Sequence, residues 1–315
     1  ASGGSSRGFG GEAVALSKNH HYIPKSILRQ FCFSNESILL FDAARPDKGY
    51  VGRSIDRAFQ KFHGNTISLA SGEKTDYVEK WLAREIDDPL GAVLQDAESD
   101  IQTIFQDSSK KILAKYLLTL LLRSPRGRDY WVKNSDPIVP MLQDVYKLAE
   151  AFGVSDDIRL FGGAGAPTSF EQALPVILPT LLNDEHVAFL VESRLAIARP
   201  IGSSCFCISD FPMMRYDDPR NAFGEMMHEY WFVLSPSIAV CFVARSKLEI
   251  EGSTLLLPNA YIRRMNFDFA MRSQFVASNC PVALHETVKH LGSYPNGRSL
   301  DETSPDMFST GGKYF

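Results

Sequence analysis

Apolar residues at 23, 27, 28 and 31 recur at helical spacing around Pro24, which suits a first helical turn and biases Ile23 toward an extended conformation. A short helix therefore opens the folded chain. His20 and His21 lead into it on an extended segment, where neighbouring side chains point opposite ways. The apolar run 38–41, ended by the turn Arg45-Pro46-Asp47-Lys48-Gly49, predicts a strand, and a second short one is expected over 66–69. From 77 to 94 the apolar positions again follow a helix, with Asp76 and Glu79 set for a capping box and Pro89 ending or kinking its first half. Residues 110–124 are apolar almost all round. That pattern predicts a central, buried helix with the histidine segment packed near its Arg123 end.

Further on, a helix over 138–152 stops at Gly153, and a helical stretch over 169–193 is interrupted by Pro175 and Pro179. The pattern then changes period. Segments 195–198, 205–209, 229–234 and 239–244 read as short strands that pair most simply as an antiparallel sheet, and 259–278 as a closing helix. The fold class expected is α+β, a mainly helical single domain with a small antiparallel sheet formed largely by the C-terminal half. Residues 19–291 form that one catalytic domain, between a Gly- and Ser-rich disordered tail (1–18) and a loosely ordered polar tail (292–315).

Composition narrows the function. With 44% hydrophobic residues in 315 there is material for a large core, and the formal net charge of -4 argues against a nucleic-acid coat or a membrane-surface binder. Any polyanion must be met locally. Five cysteines without compact spacing, and no apolar leader, lead to the expectation of a reducing, cytoplasmic location. No membrane span is expected, because the run 112–122, broken by Lys115, is shorter than the roughly 20 residues needed. Cys205 and Cys207 lack a second ligand pair and read as packing rather than zinc, and His285 and His290 are misaligned on a helix, so no metal is expected. The loop Gly162-Gly163-Ala164-Gly165 lacks the lysine of a phosphate-binding loop and reads as a connector.

Four groups of residues can carry chemistry. His20 and His21 titrate near neutrality and suit a general base, or equally a structural hydrogen bond. Glu79 and Glu85, flanking Trp81, can orient a base or receive a guanidinium, or belong to a solvated face with Asp87 and Asp88. The corner Arg123, Arg126 and Arg128 can hold a phosphate or carboxylate, or cap the preceding helix. Ser209 and Asp210 end a predicted strand in a turn, where side chains project into sites.

The succession His20-His21-Tyr22-x-Pro24 with Leu28-Arg29-x-Phe31, then Arg123-Ser124-Pro125, Ile208-Ser209-Asp210-x-Pro212 and Leu234-Ser235-Pro236 resembles the landmarks of a widespread family catalogued as a domain of unknown function. The order agrees over roughly 19–290, with Phe211 standing where that family commonly has Asn. Within it the chain is most similar to the fungal arginine-containing cyclodipeptide synthases, which join arginine to a second amino acid from aminoacyl-tRNAs and close a diketopiperazine.

The resemblance implies arginyl-tRNA and a second aminoacyl-tRNA as partners and no cofactor. An aminoacyl ester is already activated, so the enzyme has to orient, deprotonate an amine and stabilise an oxyanion. In that scheme His20 or His21 is the base and Glu85 or Glu79 orients it or receives the guanidinium. Asp210 is a second receptor and Ser209 a possible acyl acceptor. Arg123, Arg126 and Arg128, with Lys110, Lys111 and Lys115 behind them, would meet the tRNA. A nuclease using the same histidines, and a non-catalytic RNA-binding module, are the alternative readings.

Overall fold

The computed structural model describes residues 19–62, 66–68, 74–134, 138–151, 169–218, 227–244, 253–289 and 291. The expected tails, the connector at 162–165, the stop at Gly153 and His290 lie outside the described residues. The chain begins with β1 (Asn19–His21), α1 (Lys25–Gln30), β2 (Ser37–Asp42), β3 (Tyr50–Ser54) and β4 (Gln60–Phe62). The short pair β5 (Ile67–Ser68) and β6 (Lys74–Thr75) precedes α2 (Tyr77–Leu82), a π-helical turn (Ala83–Asp87) and α3 (Asp88–Ser99). The helices α4 (Asp107–Arg123), α5 (Pro125–Asn134), α6 (Ile138–Ala151), α7 (Phe170–Leu181) and α8 (Asp184–Val191) follow. The last stretch holds β7 (Arg194–Pro200), β8 (Ile208–Ser209), β9 (Met213–Asp218), β10 (Met227–Ser235), β11 (Ile238–Ala244), β12 (Ser253–Leu257), α9 (Asn259–Met271), β13 (Phe275–Ser278) and α10 (Pro281–Val288).

This is the expected α+β class. One five-stranded sheet, ordered β12-β7-β11-β10-β9, is built from the C-terminal half and is antiparallel except where β12 runs parallel to β7. A four-stranded sheet, β3-β2-β13-β8, joins the N-terminal hairpin to late strands. The main core fills the space between helices and sheet. Tyr116, Leu117 and Leu120 of α4 are buried with Trp231, Phe232 and Phe242, and the Tyr116 ring meets Phe232 edge-on at 5.8 Å. An apolar, all-round helix finds protein on all sides, as its pattern requires.

Three local expectations are corrected. The closing helix ends at Met271 and residues 275–278 form β13 instead, because Val276 and Ala277 complete the sheet between β2 and β8. Pro175 and Pro179 do not interrupt α7; each removes one backbone donor, but buried Ala173, Leu174, Leu178 and Leu182 anchor the helix, and the break falls at 182–183. The capping box at Asp76 does not form: its side chain makes no cap and pairs with Lys80 Nζ at 2.9 Å.

The α4–α5 junction is written in the sequence. Arg123 ends α4, Ser124 turns extended at φ -65 and ψ 144, and its Oγ accepts from the Gly127 N–H at 3.1 Å, while Pro125 occupies the first turn of α5.

Candidate functional site

The segment His20-His21-Tyr22 is the point at which two charged clusters meet. β1 pairs with β4, placing His21 opposite Gln60, and the Tyr22 N–H donates to the Phe59 carbonyl at 3.1 Å. Phe59 sits at φ 50, a left-handed conformation that bulky side chains rarely adopt, and its ring packs edge-on to Tyr22 at 6.0 Å. His20 is 1% exposed and His21 9%. Of the two, His21 keeps the greater exposure.

His21 Nε2 lies 2.9 Å from the Ile55 carbonyl. A carbonyl only accepts, so Nε2 carries the hydrogen and Nδ1 the lone pair of the neutral ring. Burial pushes the His21 pKa below its ordinary value; the Ile55 hydrogen bond and the charges of Glu79 and Asp56 oppose that shift, and Lys25 adds to it. The neutral imidazole is therefore the dominant form at pH 7.

Arg123 ties this strand to the helices. Its Nη2 donates to the His21 carbonyl at 2.8 Å, and its two terminal nitrogens grip both carboxylate oxygens of Asp87, Nη2 reaching Oδ2 at 3.0 Å. Its pKa is raised: burial works against the charge, but Asp87 overcomes it, with smaller help from Glu79. Tyr116 lies in the same field, its phenol pushed up mainly by burial, and its hydroxyl has no hydrogen-bond partner among the described residues. Arg123 Nε is likewise buried without one.

A second cluster surrounds Asp210. The Gln274 N–H donates to both its carboxylate oxygens, at 3.1 and 3.2 Å. Burial raises its pKa to about 6 against the pull of hydrogen bonds from Ser273 and the backbone. The charge of Asp210 acts on both Tyr22 and Arg126. Arg126 donates to the Arg272 carbonyl at 2.8 Å and its guanidinium carbon stands 5.9 Å from the Phe211 ring centre. Phe211 thus presents an aromatic face to Arg126.

Several predicted site residues stand elsewhere. Glu85 is on the outer side of the π turn, its side chain 37% exposed and bound to Arg84 at 2.7 Å. Two positions along a helix face nearly opposite ways, and Asp87 takes the inward place. Ser209 is fully buried between β8 and β13, its hydroxyl without a hydrogen-bond partner among the described residues, so no bulky ester reaches it in this arrangement.

The cationic track is largely engaged within the fold. Lys110 and Arg128 are buried, Arg128 Nε donating to the Leu122 carbonyl at 3.1 Å as a cap of α4. Lys111 and Lys115 reach Asp184 at 2.6 and 3.9 Å. Lys110 and Arg128 are therefore enclosed, while Lys111 and Lys115 share Asp184 at the surface, an acid that would compete with phosphate for them.

Asp87 is the residue that pattern reading misses. Its neighbours suggest a solvated acidic run, whereas a buried arginine at the end of an all-apolar helix requires a carboxylate. No cluster of metal-ligating side chains occurs among the described residues, and no described helix is long and apolar enough to cross a membrane.

Neither a curated protein nor a solved structure matches the chain. A family model does, and its span takes in His21, Glu79, Asp87, Arg123 and Arg126 while leaving Asp210 outside: residues 19–161 carry a DUF4238 domain, described as a protein of unknown function.

Proposed function

We propose that this chain is an aminoacyl-tRNA-dependent cyclodipeptide synthase using arginine as one of its two amino acids, with His21 as general base. The observation that carries the reading is the state of His21: a neutral imidazole, its Nε2–H held by Ile55 and its backbone held by the Arg123–Asp87 pair, leaving Nδ1 to take a proton. The α-amine of one aminoacyl group attacks the ester carbonyl of the other, Nδ1 accepts the amine proton, and that proton then passes from Nδ1 to the departing ribose oxygen, which leaves as a hydroxyl and restores the neutral ring. The dipeptidyl amine then attacks its own ester, closing a six-membered ring and releasing the second tRNA. No step needs a covalent acyl-enzyme, in keeping with the burial of Ser209.

Glu79 is the carboxylate we assign to the arginine guanidinium. It is half-buried on α2, and its charge acts on both His21 and Arg123. Asp210 faces Arg126 within the protein and is better suited to holding Tyr22 and the Arg126 corner in place.

The test is mass spectrometry of products from purified protein, arginyl-tRNA and a mixture of other charged tRNAs. Arginine should appear in every cyclic dipeptide, His21→Ala should lower the yield at least a hundredfold, consistent with the roughly 10²–10⁴-fold contribution of a general base, and Glu79→Gln should lose arginine selectivity. Because the His21 pKa is lowered, activity should fall only as pH drops below about 6.5. Products lacking arginine, or no cyclic dipeptide, would reject the reading, and shortened RNA would replace it with a hydrolase.

A further inference from the structure

Outside that site, a pocket of about 520 Å³ opens between the 199–205 loop, the β10–β11 turn and the start of α10, lined among others by Arg199, Cys205, Ser237 and Cys280. The antiparallel ladder of β8 and β13 sets Ile208 against Ala277 and Ser209 against Val276. Beyond the last pair the Phe206 N–H turns to the Pro236 carbonyl at 2.9 Å and the ladder ends, leaving Cys205 and Cys280 on the two segments that flank it.

A side-chain contact links the two segments. Cys205 Sγ is 3.9 Å from Ser278 Oγ, and the same hydroxyl accepts from the Cys280 N–H at 3.1 Å. Cys205 and Cys280 line the same pocket. Both cysteines thus reach one hydroxyl, that of Ser278, Cys205 through its sulfur and Cys280 through its backbone N–H.

The 201–204 loop is held from its other side. The Ser204 N–H donates to Asn259 Oδ1 at 3.3 Å, and a Cβ on Gly202 would come within 2.5 Å of the same oxygen. Cys205 is thus fixed in place, and both thiols are partly exposed while Cys207 and Cys241 are buried.

We propose that Cys205 and Cys280 form an intramolecular disulfide when the protein meets hydrogen peroxide, stapling the floor of this pocket. Cys280, capping α10, attacks the peroxide; its sulfur is oxidised to a sulfenic acid and one water leaves. Cys205 then displaces the sulfenic hydroxyl, its own proton leaving with that oxygen as a second water. Attack begins at Cys280 because burial, followed by the neighbouring thiols, pushes the Cys205 pKa to about 12 and keeps it protonated.

The full-length protein, reduced and then exposed to peroxide, is alkylated, cut with chymotrypsin and mapped by mass spectrometry. Cleavage after Phe206 separates Cys205 from Cys207. Two of the five thiols should be lost, both should return with dithiothreitol, and a single cross-linked pair of peptides should contain Cys205 and Cys280. In Cys205→Ser, Cys280 should instead carry a sulfenic acid that dimedone traps. A wild-type chain in which Cys280 oxidises while Cys205 is still alkylated, or in which the cross-link joins other cysteines, overturns the proposal.

Discussion

Asp210 is a carboxyl placed where ionisation is disfavoured, and the consequence is measurable. Its folded pKa of about 6 lies above the ordinary carboxylate value of 3.8, so between those values the folded chain holds a proton the unfolded chain has released. Stability from the neutral form is complete below about 4 and is lost as pH rises through 6. His21 acts with the opposite sign, since its lowered pKa makes acid destabilising below about 6.5. Asp210→Asn removes only the first effect, and its Oδ1 can still accept from the Gln274 N–H. The variant should match the parent near pH 4 and melt higher above pH 6. A melting-temperature difference that does not grow across that range would refute the assignment. The raised pKa is invisible in Ser209-Asp210-Phe211-Pro212, which reads as an ordinary turn, because burial is set by the tertiary fold and even the hydrogen bonds that oppose it come from residues 273–275, more than sixty positions away.

At the level of elements, the π turn before α3 and the C-terminus of α4 act as one device. The turn presents Asp87 inward and Glu85 outward, and the arginine that ends α4 spans the gap to the His21 carbonyl. Pro89 announces a change in this helix, and it lies in the first turn of α3, but the widened turn before it has no period of its own to detect. Removing Asp87 leaves the Arg123 guanidinium, 1% exposed, with its charge uncompensated. Asp87→Ala should cost about 3 kcal/mol, the low end of the range for a broken buried pair, because Asp87 itself keeps 23% exposure. Adding Arg123→Met should recover much of that stability in chemical denaturation, and, if the proposed function holds, cyclic dipeptide formation should stay low, since β1 loses its anchor. Equal destabilisation of the single and double variants would mean that the pair is not the source.

Over the whole molecule, cations follow a distribution that the net charge of -4 conceals. Those on α4 and at the head of α5 are turned inward or paired, whereas Lys48 and Arg53 line a pocket beside the β2–β3 hairpin in which Arg45 is paired with Asp42 at 2.7 Å. Arg57 and Lys61 are exposed on the segment that continues from it. If tRNA is the substrate carrier, this hairpin is the surface best suited to its phosphates. Lys48→Glu with Arg53→Glu, both exposed, should weaken tRNA binding about tenfold or more and reduce the salt slope by about one for each phosphate no longer neutralised. The matching pair Lys111→Glu with Lys115→Glu should do less. Filter binding across a salt series decides it, and the reverse ranking would return the interface to α4.

Sequence alone determined what depends on local period and on chain chemistry. The extended His20-His21 lead-in, the buried 112–122 helix and the switch to strands after 194 follow from apolar spacing and from Pro24, and each stands in the fold, whereas the helix Pro125–Asn134 does not follow from that pattern. It also determined that the histidines and Arg123 lie together, because a helix buried on all sides can deliver its terminal residue only to another buried segment. Tertiary structure alone decided which of several equivalent charges serve the site. Asp87 rather than Glu85 meets Arg123, Lys110 and Arg128 are enclosed, and the pKa of Asp210 is raised by burial against hydrogen bonds from residues 273–275. Helix phase, partner distance and dielectric surroundings fix those outcomes, and none of the three is carried by a residue's own identity or by its neighbours in the chain.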